Sequence, residues 1–200
     1  MNKHLFLIIC FSFLNCKNSE TKIVNSESTI ANSESTIANS ESIKSNNKIF
    51  FDFDNVDYYF KDIVDSEILK EVRRLEGVDD ESEEYNYLNL ISNDYPKKVN
   101  DENFIKNILK FGYSKNQIDK KFYNEINSVF SETKCDSSFA AACVPIYRDI
   151  LVFYKEQKII GIAKICFTCR QFDIIGTQKD ISYFGQCGGY EKLYEILDSK

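Results

Sequence analysis

Apolar positions are spaced along this chain in distinct regimes, and each regime predicts a different kind of segment. From Leu5 to Leu14 they run almost unbroken, as Leu5-Phe-Leu-Ile-Ile-Cys-Phe-Ser-Phe-Leu14, after a polar start containing Lys3. That run is too short for a bilayer span of about 20 residues and has the length of a signal-peptide core. Residues 17 to 47 then contain no aromatic side chain, and Asn25-Ser-Glu-Ser-Thr-Ile-Ala31 recurs unchanged as Asn32 to Ala38 before starting again at Asn39-Ser-Glu-Ser-Ile43. A seven-residue repeat invites a coiled coil, but one Ile and one Ala per repeat, over fewer than three heptads, cannot bury enough apolar surface to order the chain. Residues 16–47 therefore read as a cysteine followed by a disordered tether, spanning about 30 Å as a coil and about 100 Å when stretched.

Beyond the tether the apolar period is near four. Ile68, Leu69, Val72 and Leu75 share a helical face that Gly77 closes, and Phe104, Ile105, Ile108 and Leu109 repeat the pattern up to Gly112. Ser114-Lys-Asn-Gln117 has the form of a capping box, opening a helix with an apolar face through Ile118, Phe122, Ile126, Val129 and Phe130. After Cys143 the period drops to two. Ile146 to Tyr154 and Lys158 to Phe167 are rich in β-branched and aromatic residues, separated by a hairpin-length Lys155-Glu-Gln157, and Phe172 to Ile175 is a third such run. Tyr190, Leu193, Tyr194 and Leu197 mark a last helix, and Gly185-Gln-Cys-Gly-Gly189 reads as the turn into it. Residues 48–200 are thus expected to form a single α+β domain, with N-terminal helices followed by a small antiparallel sheet and a C-terminal helix.

The end of the first apolar run decides what kind of leader it is. Phe13-Leu14-Asn15-Cys16 resembles the lipobox of bacterial lipoproteins, an aliphatic residue, a free position, a small residue and then cysteine, with Leu14 one place late and Asn15 where a smaller residue is usual. Cys10 is the rival site, but cutting there leaves only Leu5 to Ile9 as a core. The resemblance implies a signal peptide over residues 1–15, lipidation at Cys16, and a protein held to a membrane of the bacterial cell envelope, at the outer membrane or the periplasmic face.

Charge narrows the partners. Of 25 Lys and Arg, Lys3 leaves with the leader, so 24 face 31 acidic side chains, a net charge of −7. So acidic a chain is a poor binder of nucleic acid. Asp79-Asp-Glu-Ser-Glu-Glu84 reads as a solvated loop, and so does Asp52-Phe-Asp-Asn-Val-Asp57, which lacks the turn glycine and distal glutamate of a calcium loop.

Of seven cysteines, removing Cys10 and Cys16 leaves Cys135, Cys143, Cys166, Cys169 and Cys187. In an exported protein five cysteines admit two bridges, with one cysteine left free or pairing intermolecularly. Cys166-Phe-Thr-Cys169 lies between two strand-like runs rather than before a helix, so the context of a thioredoxin-type redox motif is missing. A four-residue turn brings its ends within reach of a disulfide, so Cys166–Cys169 is expected to staple the hairpin tip, with Cys135–Cys143 as the weaker second choice. A thiol-disulfide protein using Cys166 and Cys169 is the alternative function.

Catalytic templates find little footing. His4 is the sole histidine and departs with the leader, and no phosphate-binding glycine loop or G-x-S-x-G motif is present. No metal site and no cofactor is expected. Tyr147-Arg148-Asp149 is the cluster best suited to recognition, because only four arginines occur in the chain. The leading expectation is a membrane-anchored lipoprotein whose domain binds an envelope protein or other envelope component without catalysis.

Overall fold

The computed structural model describes residues 49–64, 66–68, 70, 82–136, 138–139 and 141–199. The signal at residues 1–15, Cys16, the repeats to residue 47 and most of the helix expected at Ile68 to Leu75 lie outside the described residues.

The domain is α+β. Five antiparallel strands, β1 (Asn55–Phe60), β2 (Ser114–Gln117), β3 (Asp149–Lys155), β4 (Lys158–Cys166) and β5 (Gln171–Ile175), form one sheet in the order β2-β1-β3-β4-β5. Four α-helices have both ends among the described residues, α1 (Glu83–Ser92), α2 (Phe104–Lys110), α3 (Tyr123–Val129) and α4 (Gly189–Asp198), and residues 66–68 and 70 are also helical. The register aligns Tyr58, Leu151, Ala163 and Ile174 across one face, and Tyr59, Ile150, Lys164 and Asp173 across the other. Because side chains alternate along a strand, the sheet has two apolar faces and needs a cover on each. Residues from α3 and α4 pack on the first face with Phe50, Phe51 and Phe184, while α1 and α2 pack on the second.

The second half of the chain folds as its pattern indicates. Glu156 and Gln157, with φ of 49° and 65°, make the two-residue turn between β3 and β4, the left-handed pair whose twist suits a tight hairpin. Two features of the first half depart from expectation. Ser114–Gln117 is not a cap but the edge strand β2, pairing with β1 from Gln117 opposite Asp57 to Ser114 opposite Phe60. The helix start moves to Asp119, whose side chain accepts from the Lys121 amide at 3.0 Å, and a single 3₁₀ turn leads into α3. An open edge on β1 offers a ladder of backbone partners, which outweighs one local cap. The expected apolar face survives the shift, with Ile118, Ile126, Val129 and Phe130 all buried.

The second departure is β1 itself, which begins inside the acidic stretch expected to be a loop. Asp57 is buried there and pairs at 2.8 Å with Lys115 on β2. Similarly, Glu83 and Glu84 of the acidic run open α1, where Ser82 caps the Tyr85 amide at 3.0 Å and the two carboxylates face the positive helix end. Lys164 on the second face is 1% exposed; it pairs with Asp173 at 2.9 Å, donates to Asn93 O at the end of α1, and lies over the Tyr147 ring. Burial pushes its pKa down while Asp173 holds it up, so this ammonium pins a helix end to the sheet.

One glycine is needed for packing. A Cβ on Gly161, opposite Phe153 in β4, would fall 2.3 Å from a ring carbon of Phe51, which itself stacks on Phe153 with centroids 4.6 Å apart. Gly161→Ala is expected to destabilise the domain by about 2 kcal/mol through overpacking. Equilibrium urea unfolding checks this, and an unchanged midpoint would show that the Phe51 ring moves freely.

Candidate functional site

Loop and hairpin geometry, rather than sequence proximity, decides the cysteine pairing. The segment between α3 and β3 crosses the turn joining β4 to β5: the Ala141 amide donates to Cys169 O at 3.0 Å, and Gln171 Nε2 donates to Ala141 O and Cys143 O at 2.8 Å each. This places Cys143 on Cys169, with a disulfide across a Cα separation of 6.1 Å. At its other end the same segment is joined by Cys135 to Cys187, with Cα atoms 6.2 Å apart. Gln186 fastens it again, accepting from the Phe139 amide and donating to Phe139 O at 3.0 Å each.

The expected Cys166–Cys169 and Cys135–Cys143 bridges are therefore both corrected. Among the described cysteines Cys166 is the free thiol, 1% exposed at the end of β4, where its sulfur accepts from the Ile146 amide at 3.3 Å. It packs with Cys169 and Tyr147. The hairpin turn does bring both cysteines to one corner, but the crossing segment supplies the partner that Cys169 takes.

Of the expected recognition cluster, the structure brings Arg148 and Asp149 into one cleft and turns Tyr147 away from it. Tyr147 is 5% exposed against Cys166 and Cys169, its amide donates to Ile91 O at 2.7 Å and its carbonyl accepts from Tyr113 Oη at 2.7 Å. Asp149, first in β3, shares the sheet face of Leu151 and Phe153 and so lies beside Tyr58 and Phe60 of β1. A cleft of about 450 Å³ opens here. Further walls come from Asn116 and Ile146, from Phe167 and Thr168 in the β4–β5 turn, and from Tyr194, Leu197 and Asp198 in the last turns of α4.

The floor is a buried pair: Tyr58 Oη donates to Asp149 Oδ1 at 2.6 Å across 91 residues of sequence. Burial pushes the Asp149 carboxyl up to about 6, against the opposing pull of the Tyr58 hydrogen bond and of Arg148. Burial and the neighbouring carboxylate push the Tyr58 hydroxyl well above its ordinary value, so it remains a donor at every physiological pH. Arg148 directs Nε and Nη2 to Ile63 O, at 2.9 and 2.8 Å, which fixes the loop after β1.

The rim is aromatic. Phe60 is 37% and Tyr194 54% exposed, and Phe167 meets Tyr194 edge to face with centroids 5.4 Å apart. Another hollow of about 500 Å³ lies by Asn86, Tyr95 and Lys97, but it is bordered by solvated charges such as the Lys97–Asp94 pair at 3.8 Å.

Sequence reasoning passed over Tyr58, Phe60, Tyr194 and Asp198. The first two lie in β1, a strand that starts within the acidic run Asp52 to Asp57 and continues past it, and Tyr194 carries the helical period of a core position although its ring faces out. The fold and cleft define an α+β domain with a sheet covered on both faces and one aromatic-rimmed acidic hollow at its end. No family model matches the chain, and no curated protein or solved structure matches it.

Proposed function

We propose that this chain is a bacterial envelope lipoprotein, lipidated at Cys16, whose domain is a binding module that works through the cleft over Tyr58 and Asp149. One observation carries the reading of the cleft. Of the six large apolar side chains that stand exposed among the described residues, Phe60 and Tyr194 border this same hollow, above a buried carboxyl. Exposed aromatic surface converging on a concave polar floor is what a recognition site requires, and folding alone has no use for it. The anchor rests on the Leu14-Asn15-Cys16 resemblance, and two bridges among the five remaining cysteines fit an oxidising compartment. The exchange role for Cys166 and Cys169 gains no such support, since Cys169 is bonded to Cys143 and Cys166 is buried.

Two measurements test the proposal. Acyl label should enter the mature chain at Cys16 and disappear in Cys16→Ala; label that persists in that variant removes the anchor. For the cleft, a photocrosslinking phenylalanine analogue at Tyr194, in cells expressing the full chain, should capture a discrete partner. The same analogue at Leu109, exposed at the end of α2, should not. Equal capture at both positions, or none at either, would show that the cleft does not bind in the envelope.

A further inference from the structure

We propose that the cleft accepts the lysine or arginine side chain of a partner protein, its cationic end meeting Asp149 and its apolar stem lying between Phe60, Phe167 and Tyr194. The inference rests on the binding role proposed above and names the ligand chemistry of that site.

Charge is the first argument. Among the described residues two carboxylates, Asp149 and Asp198, line the hollow with one cation, Arg148, two of whose donors are directed to Ile63 O. The backbone adds to the negative field. The cleft sits against the last turns of α4, whose end has partial negative charge and includes no basic side chain. Asp198 in that last turn repels the helix end. Stability alone would favour lysine or arginine there, so the acidic residue makes sense as part of a surface facing a cation.

Aromatic placement is the second argument. Phe60, Phe167 and Tyr194 present rings around the carboxylates, and such rings attract a desolvated ammonium or guanidinium while packing against its methylene stem. The floor is preorganised for the same charge. Tyr58 occupies Asp149 Oδ1 with a 2.6 Å hydrogen bond, which fixes the carboxylate in the lining of the cleft before a ligand arrives. A free amine would fill the floor yet leave Tyr194, 54% exposed, and Phe60 in water, whereas a side chain standing on a protein surface brings the cover that buries both.

The test uses the folded domain with its disulfides intact, titrated by NMR on ring and amide resonances. The probes are N-acetyl-arginine amide, N-acetyl-lysine amide, the neutral isostere N-acetyl-citrulline amide, phosphoethanolamine and N-acetylglucosamine. Both cationic amides should give saturable shifts at Tyr58, Phe60 and Tyr194, with citrulline amide weaker by about tenfold. Asp149→Asn should remove most of the preference for arginine over citrulline, and Tyr194→Ala should weaken both cationic probes, while Leu109→Ala leaves them unchanged. Equal binding of citrulline and arginine amides, or shifts by N-acetylglucosamine alone, would overturn the cation and leave a binding cleft. Tighter binding of phosphoethanolamine than of lysine amide would overturn a protein partner in favour of a headgroup. Failure of all five probes to shift cleft resonances would overturn the inference, while capture at Tyr194 in cells would still decide the broader binding role.

Discussion

Replacing Cys135 and Cys187 together by serine lowers the unfolding free energy by about 4 kcal/mol, the largest loss expected of any change away from the core. The bridge spans 52 residues of sequence, and opening it returns that much loop freedom to the unfolded chain. The Cys143–Cys169 bridge spans 26 residues, and its removal costs about 3.5 kcal/mol; the two values are close because loop entropy grows only with the logarithm of length. Guanidinium unfolding of each double-serine variant measures both losses, and non-reducing peptide mapping verifies the pairing. A loss below about 1 kcal/mol for Cys135→Ser/Cys187→Ser would mean that the crossing segment is held by its hydrogen bonds alone.

Binding should follow the opposite order from stability. Cys143–Cys169 ties the crossing segment to the turn that contributes Phe167 and Thr168 to the cleft, whereas Cys135–Cys187 closes the far end of that segment. The smaller stability loss therefore accompanies the greater loss of ligand affinity.

Asp149→Asn makes the domain more stable at neutral pH, by about 2 kcal/mol. The native carboxyl titrates near pH 6 against about 3.9 in an unfolded chain. Its folded pKa is raised, so between these values the native state holds a proton that the unfolded state has lost. The carboxyl accordingly costs nothing below about pH 4, its cost grows as pH rises through 6, and above 7 it reaches about 3 kcal/mol. An asparagine oxygen still accepts from Tyr58 Oη, so most of that cost is recovered when the charge is removed. Urea unfolding of both proteins at pH 7.5 and 4.5 should show a clear gain at the first and none at the second. A variant less stable than the native protein at pH 7.5 would show that the carboxylate is fully compensated by its neighbours. A buried acid that weakens the fold is characteristic of residues kept for recognition rather than for folding.

Local pattern made much of this domain legible. The β3–β4 hairpin, β5, α2 and α4 each follow from a run whose period matches its element, because one face of each must be buried. The buried set on α3 followed from the same rule, although the helix begins later than the Ser114 to Gln117 motif suggests. β1 and β2 were hidden for a common reason. Asp57 is tolerated in a strand only because Lys115 meets it from β2, and Ser114–Gln117 is a strand only because β1 offers an open edge; neither condition is local. Arg148 and Asp149 were noticed because arginine is scarce, while Tyr58, Phe60 and Tyr194 look like ordinary core aromatics until their surroundings are known.

By itself, then, the sequence determined the α+β class, the repeat-bearing stretch at residues 17–47, the acidic balance and an odd number of cysteines. These depend on composition, period and parity, which are properties of neighbours along the chain. The tertiary structure decided the strand order, the pairing of Cys143 with Cys169 and of Cys135 with Cys187, and the meeting of Tyr58, Asp149 and Tyr194 in one cleft. Each joins groups tens of residues apart, and only the packing of the whole sheet and its helices brings such groups within the few ångströms over which hydrogen bonds, disulfides and aromatic contacts act.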